Sequence, residues 1–441
     1  MADLRRTLSD RVSEFDPPPG GFDRLVRLRR RRHRNQRVGV AVGALAIAGL
    51  AIWGVTVAIR TPPVTPKPPP RPAFQPLTPR SAAALRQTWI ATVEPDQVAP
   101  PAATGTEVYQ ASPHGGLLAF PAGCRAATCG PAWRGPAPPA GTPVPNAPAV
   151  GDGIVVVATD ALTAFPEGCA LGGHDCSPLW TTQPTPGRQP LSALAIADGR
   201  VFVGASDGTV LAFEATCRSD GGTCTPLWRA RTGGSLASSP PAVADGVVAV
   251  LSDRLYVYPE SCSSRCRPLW TAAVSAVQTA PAAGDGHVFA VDGTTLFAFP
   301  TNCRSDGGTC RPTWRFTEPT GDFLSSPLVA RRTVYVGSHR LYALPVDCST
   351  GGKRCSPTWR SAATTVAMST PASGAGVVAV ASDRIEVFPL DCPAGPDPCR
   401  PLFAGPAVTA GVPLSRPAIS TAGVFVTAQD GRMVAYQAPP R

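Results

Sequence analysis

The stretch CRSDGGTCTPLW at residues 217–228 recurs almost unchanged as CRSDGGTCRPTW at residues 303–314. Each copy carries two cysteines seven positions apart and ends in a tryptophan. Such a recurrence points to internal repeats, and repeats with a fixed period of roughly 20–50 residues are the signature of solenoids and propellers. The period of this chain therefore decides its fold.

The cysteines give that period. All 14 fall in pairs, and the first members of successive pairs lie 41–48 residues apart, a spacing typical of propeller blades. We predict disulfides rather than metal sites, because two cysteines per loop are too few for structural zinc and no paired histidines accompany them. The predicted disulfides are Cys124–Cys129, Cys169–Cys176, Cys217–Cys224, Cys262–Cys266, Cys303–Cys310, Cys348–Cys355 and Cys392–Cys399.

A longer segment, SPPAVADGVVAVLSDRLYVYP at residues 239–259, shows what precedes each pair. It reads as a short strand, a DG turn, a β-branched strand, a second turn and an alternating aromatic strand. A fourth strand follows the cysteines, after C-x-P-x-[W/F]. Each CRSDGGTC-like stretch is thus the hairpin loop between the third and fourth strands of a blade. Its closure contributes about 2.5 kcal/mol in the chain-entropy estimate.

The three-strand module occurs eight times, but the cysteine loop and fourth strand follow only the first seven. A separate tryptophan strand, TWIATV at residues 88–93, stands before the first module. We predict that this strand completes the eighth blade and so removes the open sheet edges. One aromatic residue per outer strand is predicted to dock its blade against the next. These residues are Trp89, Trp133, Trp180, Trp228, Trp270, Trp314, Trp359 and Phe403.

The N-terminal part reads as a membrane anchor. Residues 38–59 carry no charge, and a helix of that length spans roughly 33 Å. Arginines crowd residues 24–37, which places the N-terminus in the cytoplasm. A cleaved signal peptide is the alternative; the 37 preceding residues and the lack of a small-residue cleavage site oppose it.

Four regions follow from this reading. They are a cytoplasmic basic tail (1–37), a transmembrane helix (38–59), a proline-rich extracytoplasmic linker (60–87) and the propeller (88–441). The net charge of +10 comes from the residues before Trp89, because the chain from Trp89 onward has 24 basic residues and 25 acidic ones. No nucleic-acid partner is expected for the propeller.

Modules such as SPPAVADGVVAVLSDRLYVYP…PLW resemble the repeats of the quinoprotein-like (PQQ-like) β-propeller superfamily. The resemblance, together with the predicted anchor, implies a membrane-anchored bacterial member of that superfamily. The resemblance covers residues 88–441 and implies an all-β, eight-bladed PQQ-like propeller, preceded here by one transmembrane helix. The usual Asp…Thr-Gly turn is replaced by the disulfide loop. The superfamily includes dehydrogenases that hold a quinone and calcium, and non-catalytic propellers, similar to the outer-membrane-assembly lipoprotein, that present loops to partner proteins.

The dehydrogenase pattern is poorly matched, because there is no Cys-Cys dipeptide and only Asn146 and Asn302 supply asparagines to the propeller. We therefore predict no catalytic, cofactor-binding or metal-binding residue and no cofactor. Residues 204–208, GASDG, match a hydrolase nucleophile elbow, but a position between two strands indicates a plain hairpin turn.

The resulting hypothesis is a non-catalytic scaffold or sensor that binds a protein or cell-envelope ligand on its rim. A diverged quinoprotein-type dehydrogenase is the alternative. Signalling through the basic tail is a third possibility. The sequence predicts neither the ligand nor the oligomeric state.

Overall fold

The structure is a computed structural model. It describes residues 74–440 except 94–98, 113–115, 140, 144–145, 170–175, 276–278, 349–353, 396 and 408–413. The predicted tail, the predicted membrane helix and most of the predicted linker lie outside the described residues. Among those that are described, no helix combines the length and apolar character needed to span a bilayer.

The described chain forms eight sheets, each built on a four-stranded antiparallel meander. The innermost strands contact one another in sequence, and the last contacts the first, so the sheets form a closed ring. The prediction of an all-β, eight-bladed propeller is therefore confirmed.

The strands have the following bounds, in blade order. The innermost strands are Ala102–Ala103, Ala149–Gly151, Ala195–Ala197, Ala242–Ala244, Ala282–Gly284, Leu328–Ala330, Ala372–Gly374 and Ala418–Ser420. The second strands are Glu107–Ser112, Ile154–Ala158, Arg200–Gly204, Val247–Leu251, His287–Asp292, Thr333–Gly337, Val377–Ala381 and Gly423–Thr427. The third strands are Gly116–Pro121, Leu162–Pro166, Thr209–Glu214, Leu255–Pro259, Thr295–Pro300, Leu341–Pro345, Ile385–Pro389 and Arg432–Gln437. The outer strands are Trp133–Arg134, Trp180–Thr182, Trp228–Arg231, Trp270–Ala272, Trp314–Thr317, Trp359–Arg360, Phe403–Ala404 and, for blade 8, Arg86–Thr92.

The DG turns join the innermost and second strands of several blades. Asp152 and Asp245 have φ of 53°, and the glycine after each also has positive φ, as a two-residue type I′ hairpin requires. These turns also link neighbouring blades. The Asp152 carboxylate accepts a hydrogen bond from the Gly199 N–H at 3.0 Å, and Asp245 accepts one from the Gly286 N–H at 2.7 Å.

The ring is closed by the N-terminal strand, as predicted. Arg86–Thr92 pairs antiparallel with the third strand of blade 8, Arg432–Gln437. The strand begins two residues before the predicted start of the propeller. Closure in this way leaves the first and last strands of the fold hydrogen-bonded to each other, without an open gap in the ring.

Residues 74–87 belong to the folded unit, although their composition predicted that they are part of the 60–87 linker. A short α-helix, Pro79–Ala82, starts at a proline and is capped by the Thr78 side chain. Leu77, Ala82 and Leu85 are buried among apolar side chains of blades 7 and 8. Burial of these three side chains, which the surrounding prolines obscured in the sequence, extends the folded unit toward the N-terminus.

Candidate functional site

The propeller has two distinct faces because consecutive strands run in opposite directions. The innermost-to-second turns and the cysteine loops emerge on one face, called here the disulfide face. The second-to-third turns and the connections between blades emerge on the other, called here the crossover face. The two faces carry different features.

The cysteine loops dominate the disulfide face. All seven predicted disulfides are present, which confirms the pairing. The second cysteine of each pair is buried, and its backbone N–H reaches the outer strand of the preceding blade. Cys310 N donates to Thr271 O at 2.7 Å, and Cys399 N donates to Arg360 O at 2.7 Å. Each loop therefore acts as a parallel fifth strand.

Two of these fifth strands are regular. Thr223–Cys224 pairs in parallel with the outer strand of blade 2, and Ser264–Arg265 pairs in parallel with that of blade 3. An unpaired outer strand is a template for aggregation, so the disulfide loops protect the edges of the sheets. This pairing joins residues of different repeats, so no pattern within one repeat predicts it.

The outer strand of blade 7 is not covered by a cysteine loop, because blade 8 has none. Leu85 lies four residues before Trp89, as the second cysteine of each pair lies four residues before its aromatic residue. Its N–H donates to Ala82 O at 3.2 Å within the helical turn. The short helix thus fills the place of the eighth loop by packing.

Five of the predicted docking tryptophans make the same bond between blades. Their rings are buried, and each indole N–H donates to the carbonyl of the first residue after the third strand of the next blade. The bonds are Trp89 to Ala122 O (3.2 Å), Trp180 to Ala215 O (2.9 Å), Trp228 to Glu260 O (3.0 Å), Trp270 to Thr301 O (2.9 Å) and Trp314 to Val346 O (2.8 Å).

The other two tryptophans depart from this pattern where the second strand carries a tyrosine. In blade 6 the Tyr335 hydroxyl donates to Leu390 O at 2.9 Å, so that carbonyl is already bonded. Trp359 has no hydrogen-bond partner for its indole among the described residues, although its ring is buried. Burial raises the pKa of Tyr335 to about 12, consistent with a hydroxyl that stays protonated as a donor.

In blade 1 a carboxylate replaces the carbonyl. Glu107 accepts hydrogen bonds from the Trp133 indole at 3.0 Å, from the Tyr109 hydroxyl at 2.7 Å and from the Gly168 N–H at 3.0 Å. Burial, and then the bond to Glu107, raise the pKa of Tyr109. Tyr109 and Trp133 belong to the same blade as Glu107, so the bond from the Gly168 N–H is the one that links blade 1 to blade 2.

The central channel is bordered by the innermost strands. Their side chains are those of Ala, Val, Ile, Leu, Gly and Ser, and none of the described innermost strands carries a carboxylate. No cluster of three or more His, Cys, Asp or Glu side chains suited to a metal occurs in the described part of the chain. These residues do not fit the calcium and quinone of the dehydrogenases, and we derive no reaction step through such a group.

The GASDG segment forms the second-to-third turn of blade 3, as the sequence indicated. The Ser206 hydroxyl donates to Gln189 Oε1 at 2.6 Å. Beside this turn a groove of about 380 Å³ lies between blades 2 and 3, with Leu211 and Phe213 in its lining and Arg229 and Arg231 among its charged residues. The groove offers space but no converging set of catalytic groups.

An exposed apolar patch lies on the crossover face of blade 6. Phe323, in the connection from blade 5, is 79 % exposed, and Val366, in the connection to blade 7, is 42 % exposed. His339 lies between these connections. Its Nδ1 is 3.0 Å from Asp322 Oδ2, and its backbone carbonyl accepts from the Thr364 N–H at 2.8 Å. We call Phe323, His339 and Val366 the blade 6 patch.

The connection that carries Phe323 is fixed by a buried carboxylate. Glu318 accepts hydrogen bonds from the Tyr342 hydroxyl at 2.7 Å, from the Thr320 N–H at 2.7 Å and from the Asp322 N–H at 3.1 Å. Burial works to raise the pKa of Glu318, but hydrogen bonds from Tyr342 and Thr320 outweigh it, so the pKa lies below its usual value. The exposed ring therefore stands on an ordered loop.

Comparisons with known proteins agree with this architecture. Residues 86–219 and 217–388 match the PQQ_2 family model, described as outer membrane protein assembly factor BamB. No curated protein matches the chain significantly.

Three of the similar solved structures show how widely the fold is shared. The computationally designed Ika8 protein has 15% identity and a TM-score of 0.59, with 80% of this chain and 100% of that chain covered. BamB from Moraxella catarrhalis has 15% identity and a TM-score of 0.52, with 80% and 97% covered. The C-terminal WD40 domain of Sif2 has 10% identity and a TM-score of 0.56, with 80% and 100% covered. At these identities the likeness concerns the fold.

Proposed function

Because the chain belongs to the PQQ_2 family, whose model is described as outer membrane protein assembly factor BamB, we propose that it is a non-catalytic scaffold that binds a partner protein outside the cytoplasm. The propeller supplies a rigid frame, and the crossover face supplies the contact. The blade 6 patch is the observation that carries the proposal.

The proposed location rests on two features. Residues 38–59 are uncharged over a length that suits one membrane crossing, and the arginines before them favour a cytoplasmic N-terminus. The seven disulfides fit an oxidising compartment. We propose that residues 38–59 anchor the propeller to the cell membrane on its outer side.

The proposed protein contact is supported by the solvent exposure of the Phe323 side chain. Three large apolar side chains are exposed in the described part of the chain, namely Leu227, Phe323 and Val366, and Phe323 is the most exposed of them. Aromatic side chains that a partner can bury dominate binding energy at interfaces. Burying a phenylalanine fully contributes about 1.5–3 kcal/mol. Because its loop is already ordered around Glu318, Phe323 loses little conformational freedom on binding.

Photocrosslinking in native membranes tests the proposal. A photoreactive amino acid is placed at position 323 in the full-length protein, and the same amino acid is placed at position 227 as a control. Leu227 is 42 % exposed but precedes the outer strand of blade 3, away from the blade 6 patch. We expect one protein crosslinked from position 323 and absent from position 227.

Affinity then measures the contribution of the ring. Phe323→Ala should weaken binding of the captured protein by about 10- to 100-fold, the equivalent of the burial energy above, while Leu227→Ala should leave it unchanged. Crosslinks to lipid or wall material alone, or equal crosslinking from both positions, would contradict the proposed protein contact.

A further inference from the structure

A lone arginine occupies the ring of residues at the mouth of the central channel, on the crossover face. In each blade, one residue stands two positions before the innermost strand. One adjacent pair is hydrogen-bonded: Ala280 N donates to Ser326 Oγ at 2.9 Å, from blade 5 to blade 6. The ring is Pro100, Ala147, Ala193, Pro240, Ala280, Ser326, Thr370 and Arg416.

Seven members of this ring are neutral, and Arg416 alone is charged. Its guanidinium has neither an ion pair nor a hydrogen bond to any residue that the structure describes. This is unusual for the propeller, whose other arginines at turns are commonly paired, as Arg384 is with Asp383 at 3.1 Å. An arginine left unpaired among neutral groups retains five N–H donors for a ligand.

The surroundings of Arg416 combine two properties that rarely occur together. The residue is exposed to solvent. Burial by the surrounding protein nevertheless lowers the pKa of its guanidinium, and no charged neighbour contributes to that shift. Both hold if the guanidinium stands inside the open mouth of the channel, enclosed by blades yet reachable from outside.

The channel wall adds donors of a second kind. The innermost strand of each blade is paired on one side only, so its other edge faces the axis. In a two-residue hairpin the pair that closes the turn exchanges hydrogen bonds, which leaves the N–H and C=O of the middle residue of the innermost strand unbonded to its neighbour. For blade 8 that residue is Ile419. The mouth therefore presents one cation and neutral backbone groups.

We propose that Arg416 binds the carboxylate of a small organic acid that enters the channel from the crossover face. The planar guanidinium matches a carboxylate through two parallel N–H···O bonds, and the enclosed position strengthens them relative to bulk water. Thr370, a residue with a hydroxyl group, occupies the neighbouring position of the ring in blade 7. This site is separate from the blade 6 patch and does not depend on the proposed protein contact.

The test measures anion-dependent stabilisation of the full-length protein in detergent. Acetate is the probe, acetamide is its neutral counterpart, inorganic phosphate is the competing oxyanion, and sodium chloride matches the ionic strength. Binding to the folded state alone raises Tm as the ligand concentration passes Kd. We expect a saturable rise with acetate, none with acetamide, and a loss of affinity of tenfold or more in Arg416→Gln.

Two controls keep the result interpretable. Arg384→Gln removes the same charge from the same face and should bind acetate like the wild type. Without acetate, Arg416→Gln should melt at the same temperature as the wild type or higher, because the substitution removes a charge that has no partner among the described residues. The proposal is overturned if acetate stabilises Arg416→Gln as much as the wild type, if phosphate stabilises and acetate does not, or if acetate has no effect on the wild type.

Discussion

Replacing Trp180 with phenylalanine should destabilise the propeller more than the same change at Trp359. Both rings are buried at equivalent positions of their outer strands. The Trp180 indole donates to Ala215 O at 2.9 Å, whereas the carbonyl facing Trp359, that of Leu390, is bonded by Tyr335. The two substitutions remove the same apolar surface, and only the first removes a hydrogen bond between blades.

The difference between the two variants can be estimated from that bond. Trp180→Phe leaves the buried Ala215 carbonyl unpaired, which costs about 1–3 kcal/mol. For the folded unit Arg71–Arg441 the entropy of unfolding amounts to about 0.8 kcal/mol per kelvin at typical per-residue values. A cost of about 2 kcal/mol therefore lowers Tm by about 2–3 °C beyond the fall seen for Trp359→Phe.

Differential scanning calorimetry under oxidising conditions, with all disulfides intact, measures both variants beside the wild type. A third variant sharpens the comparison: in a Tyr335→Phe background the Leu390 carbonyl is free, so Trp359→Phe should then become as costly as Trp180→Phe. Equal falls in Tm for the two single variants would refute the assignment of an energetic role to the indole–carbonyl bond.

Two further predictions concern the loops. The double variant Cys217→Ser/Cys224→Ser removes one disulfide and should destabilise the folded protein by about 2.5 kcal/mol. Amide hydrogen exchange should become faster only in that loop and in the outer strand of blade 2, with which the loop pairs. Unchanged exchange there would contradict the role of the loop as a fifth strand. The pKa of Glu318 lies below its usual 4.5 in the folded state, so its stabilisation is complete above about pH 4.5 and is lost as the pH falls through the folded-state pKa. Thermal unfolding from about pH 7 to about pH 3 should show a smaller loss of stability for Glu318→Gln than for the wild type, and parallel curves would contradict this linkage.

Most of the fold could be predicted from the repeat pattern. Cysteine pairs, DG turns and alternating strands are local signals that every repeat restates, so the number of blades and the disulfide pairs could be predicted. Closure by the strand around Trp89 followed from counting, because one module lacked an outer strand and one outer strand lacked a module. The N-terminal limit was set too late, since Leu77 and Leu85 lie in a proline-rich stretch whose composition indicates a linker.

Contacts between repeats could not be predicted from the sequence. The pairing of Cys310 with Thr271 joins residues of adjacent blades, and their proximity depends on the geometry of the ring. The exception at Trp359 depends on one hydroxyl group, because a phenylalanine at position 335 would leave the Leu390 carbonyl open. The isolation of Arg416 likewise depends on seven neutral neighbours that are distant in sequence.

The distribution of these contacts explains why both candidate sites lie on the crossover face. On the disulfide face each cysteine loop is closed by a disulfide and hydrogen-bonds to the outer strand of the preceding blade. The backbone groups that make these bonds are therefore not available to a partner. The chain also enters the propeller there, where Gln75 N bonds to Ala438 O and Leu77 N bonds to Thr421 O. The connections on the opposite face cover no sheet edge of this kind, so they can vary without exposing an outer strand. Phe323 and Arg416 both lie on such connections, which is where a repetitive scaffold can carry a binding residue in one blade alone.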